Sequence, residues 1–256
     1  MDIEHPGNGR DSPERKSRLR WRRAAENTIG APTLGYIPPS PASPAPTLAD
    51  PRGEAAAAYV QALDRLQAAT AAQVLLVSDA DKGPGATLAA LNLGITATRA
   101  GLRTVIIDGD PTGGGISRYL RTGDGPGLAE LASGAANLAE ASRLLTIDAA
   151  NRLPIIPAGT VDVEAEIEPA HLADPIDRIS EHSDLVLIVA PASVSVERGA
   201  ALGAHADGSI LIVDGTESQR TVADAAERLT SIGAPVIGLI ELVRVGKRKR
   251  SWSRRN

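Results

Sequence analysis

The amino-acid sequence predicts an α/β domain built on a doubly wound parallel sheet, and three observations carry that prediction. Largely apolar runs at 74–78, 104–108, 185–190, 209–213 and 236–242 alternate with helical segments, the pattern of strands buried on both faces and joined by crossover helices. The runs are built from Val, Leu and Ile, and the chain has no Phe, one Met and three Tyr, so its core is aliphatic. At 73–111 a strand, a glycine-bearing turn, a helix and a second strand ending in two aspartates form one βαβ unit, whose crossover is right-handed almost without exception.

Taken in order, residues 1–30 are polar and basic, with Arg15, Lys16, Arg18, Arg20, Trp21, Arg22 and Arg23 clustered, and read as a disordered tail. The run TLGYI at 33–37 suits an edge strand. The Pro-rich stretch 38–51 reads as a semi-rigid linker without regular hydrogen-bonded structure. Residues 54–72 are Ala-rich without breakers, with Tyr59, Leu63 and Leu66 near helical spacing, which predicts an amphipathic helix. After the strand at 74–78, Leu88, Leu91, Asn92 and Ile95 share one face of a helix over 87–100, with Gly101 as its C-cap. The strand at 104–108 leads to short helices at 113–120 and 127–133. A strand at 153–157 is short or peripheral because of its prolines. Helices over 170–180, 195–204 and 217–232 then alternate with the last three strands. From 244 the chain is a second basic tail containing Trp252. The domain organisation expected is a basic tail (1–30), an edge strand and linker (31–53), the α/β domain (54–243) and a basic tail (244–256).

Composition excludes several chemistries. Without Cys there is no disulfide, thiolate metal site or cysteine nucleophile. The four histidines, His5, His171, His182 and His205, are too scattered to suggest a metal centre. No apolar run reaches the roughly 18 residues needed to span a bilayer, and residues 1–16 lack the apolar core of a secretory signal, so a cytoplasmic protein is expected. The net charge of −4 hides an asymmetry: seven Lys/Arg lie in 10–23 and seven in 244–256. An acidic globule therefore carries two basic ends, suited to an anionic membrane surface at 15–23 and 247–255. Charge alone does not separate that surface from nucleic acid.

The turn at 79–87 has the placement of a phosphate loop, in which backbone N–H groups converge on an anion at a helix N-terminus. A lysine then reaches the phosphates and a Ser/Thr holds magnesium. Gly83, Gly85 and Thr87 are in place, but Ala86 occupies the lysine position and Lys82 lies four residues earlier. Asp79 and Asp81 add negative charge where a polyanion would sit. A like-charge pair ~4 Å apart costs on the order of 4 kcal/mol at an effective dielectric of about 20. Asp108 and Asp110, at the end of the neighbouring strand, are the candidate catalytic or metal-binding carboxylates, although Asp110 before Pro111 also suits a plain turn.

With these residues in hand, the chain resembles the bacterial tyrosine kinases of capsule and exopolysaccharide export, within the MinD/ParA-like P-loop ATPases. PTLGYIP is similar to that family's membrane-proximal strand, VLLVSDADKGPGAT to its Walker A segment, VIIDGDP to its second acidic motif, and DLVLIVAPAS to its Walker B strand. The resemblance implies a P-loop NTPase-like fold of MinD/ParA type. It also implies ATP and Mg as cofactors, with Lys82, Gly83, Gly85 and Thr87 around the phosphates and Thr87 and Asp108 on the metal. The partner implied is a membrane polysaccharide chain-length or export protein. Departures cluster at the chemistry: Ala86 replaces the lysine, Val189 stands at the Walker B aspartate, and the C-terminal segment has no Tyr. The expectation is a catalytically degenerate, tyrosine-kinase-like component at the inner face of the membrane. Two alternatives stand beside it: an active ATPase or tyrosine autokinase using Lys82 with Asp108 and Asp110, and a MinD/ParA-type positioning protein.

Overall fold

The computed structural model describes residues 13–40, 43–110, 115–121, 125–160, 169–190, 192 and 196–243. The chain runs α1 (Pro13–Ile29), β1 (Thr33–Ile37), α2 (Pro46–Ala49), α3 (Glu54–Ala69), β2 (Val74–Asp79), α4 (Gly85–Arg99), β3 (Thr104–Asp108), α5 (Ile116–Leu120), α6 (Leu128–Ala132), α7 (Leu138–Ala141), β4 (Arg143–Thr146), β5 (Arg152–Ile156), α8 (Pro169–Glu181), β6 (Leu185–Val189), α9 (Val196–Gly203), β7 (Gly208–Val213), α10 (Gln219–Ser231) and β8 (Val236–Leu242). The sheet has eight strands in the order β1-β8-β7-β2-β6-β3-β5-β4. Every pairing is parallel except β4 with β5.

Register explains why the central strands read as unbroken apolar runs. Leu75 and Val77 of β2 pair with Leu187 and Val189 of β6 and face one aliphatic layer, which α3 and α4 cover. Val74 and Leu76 face the opposite layer, closed by residues of α8, α9 and α10. Each strand residue is thus buried on one side or the other. The α4 helix is buried almost all round, so its one amide needs partners. Asn92 Oδ1 accepts from the Thr47 N–H (3.1 Å) and hydroxyl (2.7 Å), and Nδ2 donates to the carbonyls of Pro44 and Leu88. Those bonds draw the Pro-rich stretch onto the domain. It is not without regular structure: α2 forms one helical turn there, started by Pro46 at its first position.

The expected tail at 1–30 is corrected over α1. This helix is docked, because its inward face finds partners about 200 residues away. Trp21 Nε1 donates to the Glu217 carbonyl (2.7 Å) and Gln219 Nε2 to the Trp21 carbonyl (3.3 Å). Arg22 donates twice to Glu241 Oε2 (2.9 and 3.1 Å), its guanidinium lies 4.8 Å from the centre of the Tyr36 ring, and Ala25 is fully buried. Glu241 is 0% exposed, and a buried carboxylate left without its cation costs about 3–5 kcal/mol, so Arg22 pins α1 to β8. Residues 1–12 and the basic tail at 244–256 lie outside the described residues. Residues 33–37 are the predicted edge strand, β1. The β4 strand was not predicted: Leu144 is 65% exposed, and the strand exists by hairpin pairing with β5 across a turn that the Asp148 carboxylate closes.

Candidate functional site

The parallel strands deliver their carboxyl ends to one end of the molecule, and a reversal of strand order around β2 leaves a crevice there. A cleft of about 480 Å³ opens at this point, walled by the turn after β2, by residues 214–218 after β7, and by Leu242 and Val243 at the end of β8. Asp81, Lys82, Gly83 and Gly85 line it, as does Asp79.

Asp79 is buried, and its Oδ1 accepts the Ala86 N–H at 2.9 Å. Gly85 and Ala86 are the first two residues of α4, so the carboxylate is held at a helix N-terminus, where backbone N–H groups and the helix dipole favour an anion. The approach is close enough that a Cβ on Gly85 would collide with Asp79 Oδ1. Arg228 of α10 donates to the Asp79 carbonyl at 3.3 Å, fixing the end of β2 from the other side. Lys82 and Asp81 are exposed at the rim, and the Lys82 N–H donates to Asp81 Oδ1 at 2.7 Å. Thr87 is buried in α4 and does not line the cleft.

The far wall is a self-closed loop. Glu217 accepts the N–H of Asp214 (2.8 Å) and of Gly215 (3.0 Å), and the Ser218 hydroxyl caps α10 by accepting the Thr221 N–H. Burial pushes the Glu217 carboxyl up, and the neighbouring Asp214 adds to the rise. Gly215 has φ +79, and a Cβ there would meet Glu241 Oε1 at 2.7 Å, so both conformation and space call for glycine. The wall is therefore tied to α1 through Trp21, Arg22 and Glu241. A second cavity of about 250 Å³, lined by Tyr59 and the prolines after β1, shares Leu88, Leu242 and Val243 with the cleft.

Asp108 and Asp110 lie two strands from β2 and do not line the cleft. Asp108 is 0% exposed and accepts from the Ser117 hydroxyl (2.6 Å), the Ser117 N–H (3.0 Å) and the Asp110 N–H (3.1 Å). Burial pushes its carboxyl up, against the Ser117 bonds that pull it down. Arg198 of α9 faces both aspartates: burial lowers its guanidinium, while the charges of Asp110 and Asp108 raise it. Asp108 is paired in register with Val189, which is fully buried in the aliphatic layer. Among the described residues no three His, Cys, Asp or Glu gather as a metal centre.

Of the expected site residues, the fold brings Lys82, Gly83 and Gly85 into the cleft and leaves Thr87, Asp108 and Asp110 outside its lining. The sequence reading missed Ser117, Arg198, Asp214 and Glu217, whose roles depend on pairings across the fold that no local pattern encodes.

No family model matches the chain. It is 26% identical over 173 residues to the tyrosine-protein kinase CpsD of Streptococcus pneumoniae, covering 66% of this chain and 74% of that one. It is 25% identical over 185 residues to the succinoglycan biosynthesis transport protein ExoP of Rhizobium meliloti, covering 70% of this chain and 23% of that one. In structure it resembles the kinase domain of Escherichia coli tyrosine kinase ETK, with a TM-score of 0.71 at 20% identity, covering 90% of this chain and 96% of that one. The septum site-determining protein MinD of Pyrococcus horikoshii, complexed with Mg-ADP, gives 0.53 at 22% identity over 66% of this chain and 70% of that one. The mostly parallel eight-stranded sheet is thus similar in fold to that MinD and to the ETK kinase domain. Among the described residues, no helix is long and apolar enough to cross a membrane.

Proposed function

We propose that this chain, a homologue of the CpsD- and ExoP-type bacterial tyrosine kinases on a MinD-like P-loop fold, is a catalytically silent, tyrosine-kinase-like component of a capsule or exopolysaccharide system. In this reading it acts by binding a membrane chain-length or export partner. One observation carries it: the Asp79 carboxylate is held on the Ala86 N–H at the head of α4, so the place for a phosphate already has an anion. Phosphoryl transfer rests on positioning and charge neutralisation, and this cleft offers Lys82 against Asp79, Asp81, Asp214 and Glu217. The position of the phosphate-binding lysine is Ala86, and Val189 offers no metal ligand. The residues present therefore do not fit Mg·ATP as such kinases use it.

The test is isothermal titration of the full chain with Mg·ATP alongside phosphate release. No saturable heat and no release are expected; micromolar binding with turnover would overturn the reading. The exposure of Lys82 at the cleft rim favours a second reading, an active ATPase or autokinase that uses this lysine. That reading requires turnover to vanish in both Lys82→Ala and Asp108→Ala.

A further inference from the structure

The cavity of about 250 Å³ beside the cleft differs from it in charge: none of its described lining residues is ionisable at neutral pH. Four are prolines, Pro38, Pro39, Pro44 and Pro46, which present C–H faces and have no N–H to donate. Asn92, the amide on this wall, is fully committed. Its oxygen accepts from Thr47, and its two N–H bonds go to the Pro44 and Leu88 carbonyls. The Ser43 hydroxyl oxygen accepts the Ala45 N–H at 3.1 Å.

Tyr59 differs from these. It belongs to the buried face of α3, with Ala55, Ala62, Leu63 and Leu66, and is only 2% exposed. It lines the cavity, and among the described residues its hydroxyl has no hydrogen-bond partner. Burial alone pushes that hydroxyl up, so it stays a protonated donor throughout the physiological pH range. A buried tyrosine hydroxyl ordinarily finds a partner, and one left unanswered is costly.

We propose that this cavity is a binding site for an uncharged aromatic ring bearing a carbonyl group. The ring lies among the prolines and Leu88, and the carbonyl oxygen accepts from the Tyr59 hydroxyl. Size sets the limit. An apolar cavity of about 150 Å³ holds benzene, so one of about 250 Å³ holds a single ring with a small substituent. An aromatic ring is favoured over a saturated one because its negative face meets the proline C–H groups. A carboxylate or an ammonium group is refused, since no described lining residue offsets its lost hydration. The cavity joins the cleft along Leu88, Leu242 and Val243, so a larger ligand can continue that way. Ring binding does not involve the place of the phosphate at Asp79 and is independent of the silent-kinase reading.

The experiment is an NMR titration of the full chain, without nucleotide, with acetophenone and with α-methylstyrene, which has the same shape and no carbonyl oxygen. Saturable binding of acetophenone is expected at about 1 mM, with α-methylstyrene at least about tenfold weaker. Tyr59→Phe removes only the hydroxyl. It should weaken acetophenone about tenfold and leave α-methylstyrene unchanged, so that the two probes become equal. Leu88→Trp, at a half-buried position, should block both, and benzoate should not compete. Lack of saturable acetophenone binding, equal affinity of the parent chain for both probes, discrimination that survives in Tyr59→Phe, or tighter binding of benzoate would each overturn the proposal.

Discussion

The turn between β2 and α4 and the end of β3 are two corners of one sheet, and they settle their charge in opposite ways. At the first, main-chain N–H groups set the demand and a single side chain, Asp79, supplies the anion. At the second, two side-chain carboxylates set the demand and Ser117 and Arg198 answer it. A corner built on backbone donors keeps its shape whichever anion fills it. A corner built on buried carboxylates depends on every partner. The first should therefore tolerate substitution and respond to added ligand, and the second should do neither.

The largest effect is expected at the second corner. Asp108→Ala strips the acceptor from two N–H groups and a hydroxyl and leaves Arg198 with less compensating charge, so a loss of about 3–5 kcal/mol is expected by urea denaturation. Asp108 also sets a pH slope. Burial holds its carboxyl above the ordinary range, so the folded chain keeps that proton to higher pH than the unfolded chain. The associated stability is complete below the ordinary carboxylate value and declines as pH rises through the folded one. Asp108→Asn should flatten that slope; an unchanged slope would place the titration elsewhere.

Glycines sharpen the contrast. A Cβ on Gly109 would meet the Val189 carbonyl at 2.6 Å and Leu202 Cδ1 at 2.7 Å, and the carbonyl belongs to the central sheet and cannot yield. Gly109→Ala should cost about 2–3 kcal/mol. At Gly85 the first obstacle is the Asp79 side chain, with Ile212 Cγ2 at 3.0 Å behind it, so Gly85→Ala should cost less. In the double variant with Asp79→Ala the two costs should fall short of adding. Simple additivity in thermal melts would show that Asp79 is not what Gly85 accommodates.

Much of this was legible in the sequence because it is periodic. The central strands and α4 announce themselves through aliphatic runs and helical spacing, and their ends follow from Gly101 and the aspartates. α1 was not legible, because Arg18, Trp21, Arg22 and Ala25 form an inward face only when Tyr36, Glu217 and Glu241 stand opposite. β4 was not legible because it is held by hairpin pairing with β5 rather than by a buried apolar pattern of its own. Asp79 was visible but with the opposite meaning: as a sequence feature it reads as repulsion towards phosphate, whereas in the fold it is the resident anion. Arg198 carries no local mark at all, since its meaning comes from Asp108 and Asp110, some 90 residues away.

Asp79→Ala puts the first corner to its own test. Losing one cap bond and a favourable charge at the α4 N-terminus should cost about 1 kcal/mol, well below the loss at Asp108. The variant should also acquire what the parent lacks, a rise in melting temperature with inorganic phosphate, because the vacated N–H groups favour an anion. Adding Ala86→Lys should extend that response to Mg·ATP. A melting temperature indifferent to phosphate in both variants would mean that Asp79 is a structural cap and nothing more.

The smallest effect is expected where charge is met in water. Asp184 precedes β6 and grips Arg103 at the amino end of β3 through 2.7 and 3.1 Å contacts and the Arg103 N–H at 2.8 Å. The arginine holds its carboxyl down to about 2. A depressed carboxyl contributes stability above its ordinary value and loses it as pH falls through about 2, opposite in sign to Asp108. Because both side chains are solvent-exposed, screening leaves the pair little influence at neutral pH. Asp184→Asn should therefore lower neutral stability only slightly and flatten the acid limb of a stability–pH curve by the same small amount. A large loss at neutral pH would mean that the contrast between buried and exposed carboxylates, on which the comparison of the two corners rests, does not hold in this fold.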